Sequence, residues 1–230
     1  MPSSPNQKPL KTKLEELEKQ LDLQAQKAAR NRSSFKLVLV SKNASQDAIL
    51  EAYNLFYKDF AENRIENALT KIEALPKGIR WHFIGKIQSK KIKKILGKFD
   101  LIHSVDSYEL AEKISVKSKD MGLITNILLQ ANTSSEKSKS GLSYSEWIEF
   151  APEIKKLDGI CIQGLMTMAP QSNDETIISD CFKKLFELRD ELEPILAKKL
   201  PELSMGMSQD YPLAIRHGSS LLRIGSAVFS

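Results

Sequence analysis

The chain has 230 residues and carries 34 Lys and Arg against 29 Asp and Glu, a net charge of +5. That length accommodates one substantial α/β domain. So mild a basic excess excludes the composition of a dedicated nucleic-acid binder. The two cysteines, Cys161 and Cys181, make neither a metal-ligand motif nor a disulfide framework, which points to a reducing compartment. No apolar stretch reaches the roughly 18 residues that span a bilayer. The first residues lack the apolar core of a secretory signal, and Glu15, Glu16 and Glu18 argue against a mitochondrial leader. A cytoplasmic protein is expected, with residues 1–9 a disordered N-terminus and 10–230 one domain.

The first predicted element is a helix over 10–30, where Leu10, Leu14, Leu17 and Leu21 repeat at helical spacing along one face. Short apolar runs then alternate with helical stretches. The predicted strands are 36–41, 59–61, 81–84, 101–104, 127–131, 162–166, 203–207 and 221–224. The helices between them fall near 47–57, 63–75, 88–96, 107–121, 143–157, 174–199 and 210–217. Ser107 and Ser143 suit N-caps, because a hydroxyl accepts from an unpaired first-turn N–H. An open doubly wound sheet and a closed (β/α)8 TIM barrel both fit this alternation. The count of eight and the chain length favour the barrel. Its eighth outer helix is missing from the pattern, which leaves that place to the N-terminal helix.

Barrel sites lie at the C-terminal strand ends. There the sequence presents Ser41 and Lys42, Glu62, Asn63 and Arg64, then Asn132, Ser208, Arg223, Gly225 and Ser226, with His82 inside the third strand. An amine at a strand mouth becomes a nucleophile where a pocket desolvates it, although a strand-end lysine is more often a surface or salt-bridge residue. Met205-Gly206-Met207-Ser208 and Arg223-Ile224-Gly225-Ser226 each join a glycine to a serine. Each alone reads equally well as turn chemistry. Together, at strands seven and eight, they favour a bound phosphate. Lys42 opposite such a cradle suggests a phosphorylated aldehyde, with pyridoxal phosphate the candidate. Arg223 then faces the ring nitrogen and keeps it unprotonated, or it pairs with a carboxylate such as Glu62 or Asp210.

Eight segments in order carry a resemblance. They are Val40-Ser41-Lys42, Phe60-Ala61-Glu62-Asn63, Trp81 to Gly85, Leu101 to Asp106, Ser138-Lys139-Ser140-Gly141, Gly164 to Met168, Leu203 to Ser208, and Leu222-Arg223-Ile224-Gly225. From Leu37 to Phe229 the chain resembles the pyridoxal phosphate homeostasis proteins, also called proline synthetase co-transcribed homologues. The resemblance implies a barrel like the N-terminal domain of alanine racemase and pyridoxal 5'-phosphate held as an aldimine on Lys42. It implies phosphate binding by Ser208, Gly225 and Ser226, and Arg223 beside the pyridine nitrogen. Asn63, His82 and Met207 match pocket-lining positions, and Lys139 a second lysine used in cofactor handling. Ala61 stands where the family usually has glycine. Ser226 stands where it usually has threonine, so the hydroxyl is kept.

The implied role is vitamin B6 homeostasis: holding the cofactor and supplying it to apoenzymes, as a monomer or weak homodimer, with no catalytic residue and no metal. The rival is a small racemase-like enzyme, which needs a second acid/base; His82 and His103 are the candidates. A third class, nucleic-acid binding, rests on Lys86, Lys90, Lys91, Lys93, Lys94 and Lys98. Their interleaving with Ile87, Ile92, Ile95 and Leu96 reads instead as one solvated helix face.

Overall fold

The computed structural model describes residues 8–134, 136 and 139–230. Residues 1–7 of the expected disordered N-terminus, and Ser138 of the fifth matching segment, lie outside the described residues. The strands are β1 Lys36–Val40, β2 Asp59–Glu62, β3 Arg80–Phe83, β4 Leu101–Val105, β5 Thr125–Gln130, β6 Ile160–Met166, β7 Glu202–Ser204 and β8 Leu221–Ile224. They close into a parallel barrel in sequence order, with β8 hydrogen-bonded back to β1. The helices are α1 Leu10–Lys27, α2 Gln46–Asn54, α3 Ile65–Ala74, α4 Ile92–Ile95, α5 Tyr108–Asp120, α6 Tyr144–Ile154, α7 Glu175–Leu196, α8 Tyr211–Arg216 and α9 Ser226–Phe229. Among the described residues, no helix is long and apolar enough to cross a membrane.

Local chemistry sets these boundaries. Ser45, Ser107 and Ser143 each accept a first-turn N–H with their hydroxyls, and Ser143 forms a reciprocal capping box with Glu146. The α1 stripe Leu14, Leu17, Leu21 and Ala25 is buried. Each such leucine contributes about 1.5–3 kcal/mol by leaving water. Helix α1 packs against α2, α8 and α9, so it occupies the place of the eighth outer helix; only the single turn α9 follows β8.

Two predicted elements differ. The helix expected over 88–96 is a 3-10 turn, Ser89–Lys91, followed by the one-turn α4. Ile87, Ile92, Ile95 and Leu96 are all buried, and Gly97 at φ 70° turns the chain away. The lysines of this segment are exposed apart from Lys91, which pairs with Glu66. The seventh strand ends at Ser204 rather than Met207, because Gly206 at φ 94° leaves the extended conformation.

Two polar clusters interrupt the apolar core. Behind the barrel wall, Lys71 Nζ donates to the Ser41 carbonyl and to Glu62 Oε1, both at 2.7 Å, and Ser41 Oγ donates to the same carboxylate at 2.8 Å. Glu62 is fully buried, and its Oε2 has no partner among the described residues. The cluster ties together the ends of β1 and β2, one residue before Lys42 and Asn63.

Inside the barrel, Val38, Ala61, Leu101, Leu128, Met166 and Leu221 form an apolar group. A polar file crosses it. Arg80 Nε donates to Asp59 Oδ1 at 2.7 Å, and His82 Nε2 lies 3.1 Å from the same oxygen. His82 Nδ1 is 2.9 Å from His103 Nε2, and His103 Nδ1 is 2.8 Å from Ser204 Oγ. Arg223 Nη1 donates to Ser204 Oγ at 2.6 Å. Burial alone would raise the Asp59 carboxyl, but hydrogen bonds from Arg80 and His82 outweigh it and hold it well below the usual carboxylate range. Burial, then the neighbouring His82 and Arg223, hold the His103 imidazole well below its usual range.

Two outcomes follow from these clusters. Lys71→Met leaves the Glu62 carboxylate buried without its cation and lowers unfolding stability by about 3–5 kcal/mol, whereas Lys71→Met with Glu62→Leu costs far less. Urea unfolding of the single and double variants checks this. His103 refuses a proton that the unfolded chain accepts below about pH 6.5, so its contribution to stability is full above that pH and lost as pH falls, by up to about 1.4 kcal/mol per unit. His103→Gln removes this component from the slope of unfolding free energy against pH.

Candidate functional site

The C-terminal ends of the strands surround a cavity of about 900 Å³. Lys42 and Asn43 enter it from the end of β1, Asn63 from β2, Met207 and Ser208 from the β7 loop, and Arg223, Gly225 and Ser226 from β8 and its end. Val40, Ile84 and Met166 supply apolar wall. The site is therefore a depression in which the Lys42 amine, the Ser208 and Ser226 hydroxyls and the Arg223 guanidinium share one lining with apolar side chains.

Barrel closure sets their spacing. The register Val38 to Arg223 and Leu39 to Ile224 makes β1 and β8 immediate neighbours. Lys42 thus stands beside the Gly225-Ser226 turn and not opposite it, as the strand list alone suggested. A Cβ on Gly225 would come within 2.9 Å of the Val40 carbonyl oxygen, so only glycine lets this turn lie against the end of β1. Ser226 and Ser208 hydroxyls are 3.1 Å apart, which brings the two Gly-Ser segments to one point. On the Ser208 side, Asp210 accepts the Met207 N–H at 2.6 Å and holds the turn closed. A Cβ on Gly206 would meet Ala214 Cβ at 2.6 Å, so helix α8 packs close beneath this turn.

Arg223 is buried, and it makes no ion pair among the described residues. Its Nη2 donates to the Thr167 carbonyl at 2.9 Å and its Nη1 to Ser204. Neither carboxylate weighed as its partner takes that role. Glu62 points outward to Lys71, and Asp210 acts on Arg223 only through space. Burial lowers the Arg223 guanidinium to about 10, against the opposing field of Asp210, so it remains a cation at neutral pH. Burial likewise raises the Asp210 carboxyl, opposed by the Met207 N–H and then Arg223.

The structure brings together Lys42, Asn63, Met207, Ser208, Arg223, Gly225 and Ser226. His82 is not in the cavity wall. It lies inside the barrel among the polar file, because Ile84, two residues further on and just past the end of β3, takes the wall position. His103 is fully buried beside it, so neither histidine faces the cavity as a second acid/base. Lys139 stands next to the wall, donating to the Met168 carbonyl at 3.3 Å and pairing with Glu136 at 3.5 Å. Sequence reasoning overlooked the supports: Lys71 under Lys42, and Ser204 and Thr167 under Arg223. The apolar wall was within reach, since alternation by two places Val40, Asn63 and Ile84 on the inner face with Val38, Ala61 and His82.

Comparison with known proteins agrees with this geometry. The family model described as alanine racemase, N-terminal domain, matches residues 13–230. The chain is 36% identical over 205 residues to the pyridoxal phosphate homeostasis protein of Aquifex aeolicus, covering 89% of this chain and 90% of that one. The structure of PipY from Synechococcus elongatus with PLP bound superimposes with a TM-score of 0.84 at 32% identity, over 96% of this chain and 100% of that one. Alanine racemase of Clostridium difficile shares the fold alone, with a TM-score of 0.73 at 14% identity, over 95% of this chain and 56% of its own. A cavity at the mouth of a closed barrel, built on these strand ends, a family model over residues 13–230 and 36% identity over 89% of the chain lead to one conclusion: the chain belongs to the pyridoxal phosphate homeostasis protein family, on the barrel of the alanine racemase N-terminal domain.

Proposed function

We propose that this protein binds pyridoxal 5'-phosphate in the cavity at Lys42, withholds its aldehyde from other amines, and supplies it to apoenzymes without turning over a substrate. The observation that carries this reading is the convergence of Lys42, Ser208, Ser226 and Arg223 on one cavity. The names of the relatives and the PLP-bound neighbour support it. The volume of about 900 Å³ lies within the roughly 300–1,000 Å³ typical of sites for one small organic ligand.

When bound, pyridoxal phosphate supplies an aldehyde that condenses reversibly with a primary amine, together with an anionic phosphate. Lys42 supplies the amine from an exposed position at the mouth, which keeps it open to exchange. The paired hydroxyls of Ser208 and Ser226, with the backbone at Gly225, hold the phosphate. Asn63 and Met207 bound the ring, and Arg223 donates toward its nitrogen. A cation beside that nitrogen disfavours its protonation and weakens the ring as an electron sink. That suits storage over carbanion chemistry. Lys139, beside Met168, takes part in handing the cofactor over. The two free cysteines accord with a role in the cytoplasm.

Purified with pyridoxal 5'-phosphate, the protein develops the absorption band of a lysine-bound cofactor, and borohydride fixes a pyridoxyl group on Lys42. Label on another lysine, or an unchanged band in Lys42→Ala, overturns the assignment. Incubated with L-amino acids in deuterium oxide, the loaded protein leaves the Cα–H unexchanged on the time scale of an enzyme. Exchange at enzyme-like rates that disappears in Lys42→Ala would establish the racemase-like alternative instead.

A further inference from the structure

The polar file through the barrel has an obligatory direction. A guanidinium has only donors, so Ser204 Oγ accepts from Arg223. The single proton of Ser204 then goes to His103 Nδ1, 2.8 Å away. His103, neutral with Nδ1 as acceptor, carries its proton on Nε2 and donates to His82 Nδ1 at 2.9 Å. His82 in turn donates from Nε2 to Asp59 at 3.1 Å. Asp59 is held ionised by Arg80 and is an acceptor only. With both imidazoles neutral, an obligate donor at one end and an obligate acceptor at the other leave every link between them one orientation. Asp59, at the start of β2, and Arg223, near the end of β8, lie toward opposite mouths of the barrel.

We propose that Asp59 is a remote positioning residue for Arg223, acting through His82, His103 and Ser204 to fix which guanidinium N–H groups are left for the cavity. Arg223 has no carboxylate within ion-pair distance among the described residues. Its fixed partners are therefore Ser204 and the Thr167 carbonyl. Two hydrogen bonds on separate nitrogens orient the planar fork of a side chain that lines the cavity. Replacing Asp59 by Leu removes the acceptor at that end, so nothing holds the file in this one direction. His82 and His103 are then free to donate from Nδ1, in which state Ser204 receives two donors and loses the acceptor for its own proton. The effect on the cofactor rests on the reading that Arg223 faces the pyridine nitrogen; the effect on the file does not.

The chain has three histidines, so ring ¹⁵N resonances of the cofactor-free protein report the file directly. In the native chain, His82 and His103 are both Nε2–H tautomers. Asp59→Leu populates the Nδ1–H tautomer of His103 and speeds solvent exchange of the Arg223 guanidinium protons about tenfold or more. Ser204→Ala cuts the file next to Arg223 and speeds the same exchange, and Ser204→Thr restores it. With pyridoxal 5'-phosphate as probe, Asp59→Leu and Ser204→Ala shift the absorption maximum in the direction that Arg223→Gln shifts it. Unchanged His103 tautomer and Arg223 exchange in Asp59→Leu overturn the proposal. A switched tautomer and faster exchange with no absorption shift in any variant, Arg223→Gln included, upholds the file and removes Arg223 from the cofactor.

Discussion

The ladder between β1 and β8 carries the site. Four residue pairs, from Lys36–Leu221 to Leu39–Ile224, join the first strand to the last and seal the barrel. With that seam in place, Lys42 and Ser226 come from the ends of adjacent strands although they are far apart in the chain. Gly225 permits the close approach, because any side chain there would run into the Val40 carbonyl. Helix α1, packed beside α8 and α9, covers the seam from outside with its buried leucine stripe. A parallel barrel has no free edge to spare at this point, so losing the seam would separate the Lys42 amine from the paired Ser208 and Ser226 hydroxyls without touching either.

The interior handles two buried cations in different ways. Lys71 sits against a carboxylate and a carbonyl, and its work is to tie together the ends of β1 and β2. Among the described residues Arg223 has no carboxylate within ion-pair distance; it faces a hydroxyl and a carbonyl, with its negative counterpart, Asp59, at the far end of a hydrogen-bonded file. Each arrangement leaves one functional group free: the Lys42 amine in the first case, part of the Arg223 guanidinium in the second. A barrel interior of branched apolar side chains would be easier to fill. The polar file instead gives the guanidinium a defined orientation, since each buried donor and acceptor tolerates only one partner arrangement.

Alternation of short apolar runs with helical stripes was enough to read eight strands and most of the outer helices. Serine caps marked helix starts to the residue at Ser107 and Ser143. Reading was less successful where backbone conformation departed from the local pattern. Gly206 ended β7 early, and the buried isoleucines around Lys91 broke one expected helix into two turns. Site residues with distinctive chemistry at strand ends, such as Lys42, Ser208, Arg223 and Ser226, were visible because their type is unusual in that position. The family resemblance put His82 in the pocket lining, and its position within β3 gives no sense of depth that could have told otherwise. Alternation assigns a side chain to the inner face of a barrel, but the height at which it sits depends on strand tilt and stagger.

From residue types and spacing come the barrel, the amine at its mouth, the two glycine-serine turns and the guanidinium between them. Those are local properties: a strand, a turn or a cap depends on a few neighbouring residues. Which carboxylate answers which cation is not local. Glu62 and Asp210 were equal candidates for Arg223 in the chain, and neither pairs with it; Glu62 turns outward to Lys71, and Ser204 and Thr167 take the guanidinium. That Lys42 stands beside Ser226, and that Asp59 connects to Arg223 through two histidines and a serine, follows from closure and register alone. These contacts join residues from β1, β2, β3, β4, β7 and β8, and a hydrogen bond of about 3 Å exists only once all of those strands have taken their places.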